Sequence, residues 1–135
     1  MRAEIERARL LISQSRFDIA ERELRAALSR DPEDYRAHAL LAICLLRLAR
    51  NREALSEAGI AVAKEPAAPY AHYVLALALL EAGRGAEAKS SAQEAIRLDP
   101  EDADYFALLG GINLDGKNWR EALRNAESAS SSRPG

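Results

Sequence analysis

The chain has 135 residues, 48% of them hydrophobic and 30% charged, with a formal net charge of −2 at pH 7. This composition fits one soluble, helix-rich domain and excludes a disordered chain. The small net charge excludes a global basic field that could hold nucleic acid. One cysteine excludes an internal disulfide and fits a reducing compartment. The longest apolar runs are too short to cross a bilayer, so we expect a cytoplasmic protein or a cytoplasm-facing domain of a larger one.

Residues 1–34 are predicted to form the first of four helix pairs, which we call unit one. Its first helix carries apolar residues at helical spacing, namely Ile5, Ala8, Leu11 and Ile12. A turn is expected at Ser15, and a second helix begins at Phe17 and ends before Pro32. Charged residues stand where later units are apolar, as expected for a terminal unit with a polar outer face.

Units two and three, residues 35–68 and 69–102, repeat the same layout. The first helix of unit two is apolar nearly all round and contains Cys44, which we expect to be a small buried hydrophobe. Unit two turns near Arg50 and ends near Pro66. Pro69 is expected to open the next helix, where an N–H would go unpaired anyway. Unit three turns near Arg84, where Gly83 supplies left-handed backbone geometry.

Unit four, residues 103–135, is the least regular. Gly110 and Gly111 lower its helix propensity by about 1 kcal/mol each. After a turn near Lys117, the second helix fades into a serine run before Pro134. No capping helix follows, so we expect Leu109, Ile112 and Leu123 to be partly exposed. The natural chain is therefore expected to continue beyond Gly135 or to pack this end against another copy, and unit four is expected to open most easily.

The four units share a 34-residue period. Small residues occupy one column of the second helices, and four of the five prolines occupy another; the two columns are Ala20, Ala54, Ala88 and Ala122, and Pro32, Pro66, Pro100 and Pro134. Paired helices with this period and these small residues resemble the tetratricopeptide repeat. The resemblance implies an all-α fold, a right-handed solenoid of about eight antiparallel helices whose first helices line a concave groove.

The resemblance also implies which residues contact a ligand in that groove. The candidates are Arg9, Arg36, Ile43, Arg47, Tyr70, Tyr73, Leu77, Leu80, Glu81, Asp104 and Leu108. Each aliphatic residue is equally well read as core or as ligand surface, whereas Tyr70 and Tyr73 are expected to be exposed contact residues.

The groove residues indicate the kind of ligand. Arginines lie in units one and two, and acids dominate units three and four. Chaperone C-terminal peptides are held in this family by a clamp of lysine, asparagine and arginine, and only Arg9 matches it. The clamp is therefore absent, and the aliphatic floor suits an amphipathic helix or an extended apolar peptide better.

No catalytic constellation is evident. His38 and His72 are the only histidines and are 34 residues apart, so the repeat explains them better than a metal site does. No cofactor, nucleic acid or metal is expected. We predict a non-enzymatic scaffold that binds a protein or peptide. The alternative is an assembly domain that associates with itself through the same surfaces, with the C-terminal end as a possible contact between copies.

Overall fold

A computed structural model describes residues 2–114, and in this part of the chain all regular structure is helical. The helices are α1 (Arg2–Ser13), α2 (Phe17–Arg30), α3 (Tyr35–Arg47), α4 (Asn51–Lys64), α5 (Pro69–Glu81), α6 (Gly85–Leu98) and α7 (Ala103–Leu114). Units one to three thus contain two helices each, as predicted, and α7 is the first helix of unit four. The predicted turn near Lys117 and the eighth helix lie outside the described residues.

In units one to three, the second helix ends just before the column proline. The last residue before the proline leaves helical geometry, with φ of −141° at Asp31, −144° at Glu65 and −143° at Asp99. Proline imposes this, because its ring clashes with a helical preceding residue. At the next helix start, the Asp34 side chain accepts a hydrogen bond from the Arg36 backbone N–H. Helix α5 begins at Pro69 as predicted.

The turn between the two helices also repeats in units one to three. Ser15, Ala49 and Gly83 all have positive φ, at 60°, 61° and 76°. The backbone N–H groups of the arginines that follow them donate to carbonyls five residues earlier, over 2.8 to 2.9 Å. This is the Schellman arrangement, which satisfies the last carbonyls of a helix and reverses the chain. Of these three residues only Gly83 is a glycine, the residue for which positive φ carries no steric penalty.

Two glycine substitutions are expected to change stability in opposite directions. Gly83→Ala should lower the free energy of unfolding by about 1 kcal/mol, because alanine is strained at positive φ. Gly59→Ala, inside α4, should raise it by about 1 kcal/mol through helix propensity. No heavy atom lies within 4 Å of a Cβ built at either position, so steric clash does not contribute. Urea denaturation measures both; equal signs would contradict the turn geometry.

The alanine columns form the core between helices, as the period predicted. Ala20, Ala54, Ala88 and the other small residues of their helical stripes are fully buried. Two clusters of buried residues result, one centred on units one and two and the other extending from unit two into α7. Leu46 and Tyr70 pack against both clusters and therefore join them. Small side chains let the helix axes approach closely, so each unit stacks on the next.

Ion pairs join units one and two through residues in or beside their second helices. Arg50 Nη1 lies 2.9 Å from Glu21 Oε1, and Lys64 Nζ lies 2.9 Å from Glu33 Oε1. Arg25 Nη2 lies 3.4 Å from Glu53 Oε2. A hydrogen bond from Arg50 lowers the pKa of Glu53. One period after Glu21, Arg25 and Glu33 the chain has Leu55, Gly59 and Ala67, so these pairs are not repeated at the next junction.

Cys44 is buried with no exposed surface, as predicted. Burial raises the pKa of its thiol to about 12, because the thiolate loses its water, and the nearby charge of Glu21 acts in the same direction.

We therefore expect the native chain at pH 8 to react with a thiol reagent far more slowly than a free cysteine does, since the thiolate is the nucleophile. Labelling followed spectroscopically in 0 M and 6 M urea measures this. Equal rates in the two solutions would show that Cys44 is accessible in the folded protein.

Candidate peptide-binding face

The first helices of successive units pack side by side, with α1 against α3 and α3 against α5. The candidate contact residues lie on α1, α3, α5 and α7. We call the surface that carries them the first-helix face. Among those candidates, Arg9 and Arg47 are exposed. A second group is partly exposed and comprises Arg36, Ile43, Tyr70, Leu80, Glu81 and Asp104.

Three candidates are instead buried. Tyr73 is 6% exposed, Leu77 is 5% exposed and Leu108 is fully buried. For the two leucines, the structure favours core over ligand surface. For Tyr73 the expected exposure is wrong, because its ring packs 5.1 Å from the ring of Tyr105 and 6.0 Å from that of Tyr70.

Tyr105 was not identified from the sequence. It is 5% exposed on α7 and closes a row of three tyrosine rings on this face. Burial raises the pKa of its hydroxyl, and the charges of Asp102 and Asp99 add to the shift. A signal was available, because the equivalent residues one and two periods earlier are Ala71 and Ala37.

Tyr70 connects several parts of the face. It packs against both core clusters, which fixes the position of its ring. The Arg9 Cζ atom lies over this ring, 6.0 Å from its centroid, which is cation–π distance. Arg9 belongs to α1 and Tyr70 to α5, so this contact crosses the face from unit one to unit three.

The charged residues are divided along the face. Arg9, Arg36 and Arg47 lie on α1 and α3, and Glu81 and Asp104 lie on α5 and α7. Arg36 pairs with Asp34, with Nε 3.3 Å from Oδ1, and this hydrogen bond raises the pKa of Arg36. Among the described residues Arg9 contacts no carboxylate within ion-pair distance, although Glu6, one turn earlier, is exposed nearby.

The two histidines make the same contact in successive units. His38 Nε2 donates to the Pro32 carbonyl over 2.8 Å, and His72 Nε2 donates to the Pro66 carbonyl over 2.8 Å. The contact ties the start of a unit to the proline turn before it, so the repeat explains both residues. Within residues 2–114, no group of three or more side chains is arranged to hold a metal ion. None of the helices described in this range is long and apolar enough to span a membrane.

Comparisons with known proteins agree with this architecture. The tetratricopeptide-repeat family model matches residues 5–59, 45–103 and 73–134. The first such domain of human RPAP3 aligns with a TM-score of 0.76 and 21% identity, covering 93% of this chain and 94% of that one. No curated protein sequence matches the chain.

Two further similar structures contain bound peptides. The first repeat domain of Spaghetti (RPAP3), bound to the HSP90 peptide SRMEEVD, aligns with a TM-score of 0.69 and 19% identity, covering 96% of this chain and 92% of that one. The Yersinia enterocolitica type III secretion chaperone SycD, in complex with a peptide of the translocator YopD, aligns at 0.68 and 17% identity, covering 96% and 93%.

Proposed function

Because the chain belongs to the tetratricopeptide-repeat family, we propose that it is a non-catalytic scaffold that binds a peptide segment or amphipathic helix of another protein on the first-helix face. The observation that carries this proposal is the position of Tyr70. It is a partly exposed aromatic residue on the face, and it packs against both core clusters. Tyrosines held in this way are good interface anchors, because they add contact area at little cost in conformational entropy.

An apolar strip on α3 and α5 suits an apolar ligand side chain. Ile43, Leu46 and Leu80 pack against the core but keep part of their surface exposed. Since fully buried residues support this strip, it need not rearrange before it is covered, and a preformed surface loses less entropy on binding. The peptide complexes of the Spaghetti (RPAP3) and SycD domains support a peptide as the class of ligand.

Tyr70→Ala is expected to weaken peptide binding about tenfold or more, which is the loss typical of an interface anchor. Peptides are first selected from a random twelve-residue display library on the full chain, and their affinities are measured by fluorescence anisotropy. Tyr70→Phe should keep most of the affinity, because it retains the ring.

The matched control is Leu10→Ala, which shortens a 57% exposed leucine that is not among the candidate contact residues of α1. It should leave the affinity unchanged. Circular dichroism establishes that all the variants stay helical. Unaltered affinity of a folded Tyr70→Ala protein would refute the proposed face, and a selection that enriches no peptide would refute the proposed function.

A further inference from the structure

The proposed function leaves open which chemistry the bound segment carries, and the geometry points to Arg9 as the residue that decides it. Resting on the proposed function, we infer that the Arg9 guanidinium binds the side-chain carboxylate of an aspartate or glutamate in that segment. An aliphatic or aromatic neighbour in the segment then packs on Tyr70 or on the apolar strip of Ile43, Leu46 and Leu80. The partner is thus a protein segment in which an acidic residue stands beside apolar ones.

Arg9 contacts the Tyr70 ring through its positive charge, with Cζ 6.0 Å from the ring centroid. A cation–π contact supplies no carboxylate to the guanidinium N–H groups, so the guanidinium can still pair with one. Those donors match a carboxylate in bidentate geometry. The ring also restrains the arginine side chain, which otherwise loses about 2 kcal/mol of rotamer entropy when it is fixed.

Several other arginines of the chain already pair with a carboxylate. Arg50, Arg84 and Arg97 each donate from the guanidinium to a glutamate three residues away, and Arg50 also donates to Glu21. Arg36 Nε donates a hydrogen bond to Asp34 Oδ1. Arg9 has no such carboxylate partner in residues 2–114, and it stands on the face where the ligand is proposed to bind.

The position of Arg9 favours a side-chain carboxylate over that of a chain terminus. Because Arg9 reaches from α1 to Tyr70 on α5, its charge lies on the part of the face where units one and three meet. A segment that crosses this point continues on both sides, so a side chain reaches Arg9 more directly than a chain terminus does. Glu6, exposed one turn away on α1, disfavours a second acidic residue on that side. One acidic residue amid apolar ones fits these charges best.

The test uses the full chain and the displayed library, in which no peptide has a free C-terminus. Selections are run in parallel on the wild-type chain, Arg9→Gln and Arg22→Gln. Arg22 is an exposed arginine of α2 and serves as the matched control. We expect wild type and Arg22→Gln to enrich peptides with one aspartate or glutamate beside aliphatic or aromatic residues. Arg9→Gln should retain the apolar preference and lose the acidic one.

The best peptide is then synthesised with its acidic residue kept or replaced by its amide, and with its C-terminus free or amidated. The acid-to-amide change should cost wild type about tenfold in affinity and Arg9→Gln less than about twofold. A tenfold dependence on the free C-terminus instead would overturn the side-chain assignment. Peptides enriched without an acidic preference would overturn the role of Arg9 but leave the scaffold intact.

Two other outcomes separate this inference from the proposed function. A selection that enriches nothing would refute both. Sedimentation velocity from 5 to 200 µM tests a second copy as the occupant. Concentration-dependent association that Arg9→Gln abolishes would assign the face to self-association and overturn the inferred partner.

Discussion

Leu45→Ala is expected to lower the free energy of unfolding by about 2–5 kcal/mol, a large share of the total stability of a domain of this size. The Leu45 side chain is fully buried in the cluster shared by units one and two. Its removal loses apolar burial and leaves a cavity, because helices already separated by alanines have little room to close in. Urea melts monitored by circular dichroism measure the loss.

Leu10→Ala is the control for this change, because it makes the same substitution in a helix of the same stack. Leu10 is 57% exposed, so its loss should cost less than about 0.5 kcal/mol. If the two variants unfold at the same urea concentration, the predicted importance of the first cluster is wrong.

Ala54→Leu and Ala88→Leu are expected to destabilise the chain by about 1–3 kcal/mol each through overpacking. Both alanines are fully buried, and each lies in a second helix that packs against the first helix of its own unit. A leucine there pushes the helix axes apart or adopts a poor rotamer.

The matched controls are Ala63→Leu in α4 and Ala86→Leu in α6, which place the same side chain on exposed positions of the same helices. They should change stability by less than about 0.5 kcal/mol. Thermal melts that show equal effects at buried and exposed positions would mean that helix propensity, and not packing, determines the result.

The helix pairs could be predicted because their determinants are local or periodic. Pro66 and Pro100 restrict the residue just before them, and Gly83 permits a left-handed turn at its own position. The buried stripe of Ala54, Ala58 and Ala61 follows from helical spacing alone. The turn at Ala49 was also predicted correctly, although alanine gives no local signal for positive φ. Ala49 lies one period before Gly83, so the repeat located the turn.

The candidate site was less predictable, because burial on the first-helix face depends on helices that are distant in sequence. Tyr73 was expected to be exposed from the average behaviour of tyrosine, but Tyr105, contributed by the next unit, covers its ring. The Arg9–Tyr70 contact joins units one and three and depends on how far each unit is displaced from the last. A repeat pattern gives the register within each unit and leaves that displacement undetermined.

The ion pairs between the first two units imply that added salt changes the stability of some unit junctions more than that of others. Glu21–Arg50, Arg25–Glu53 and Glu33–Lys64 bridge only that junction, and the corresponding surface of the next one has Leu55, Gly59 and Ala67. Salt screens exposed charges. In a stack held by nearest-neighbour contacts, raising the salt concentration therefore weakens the junction between units one and two more than the junction that follows it.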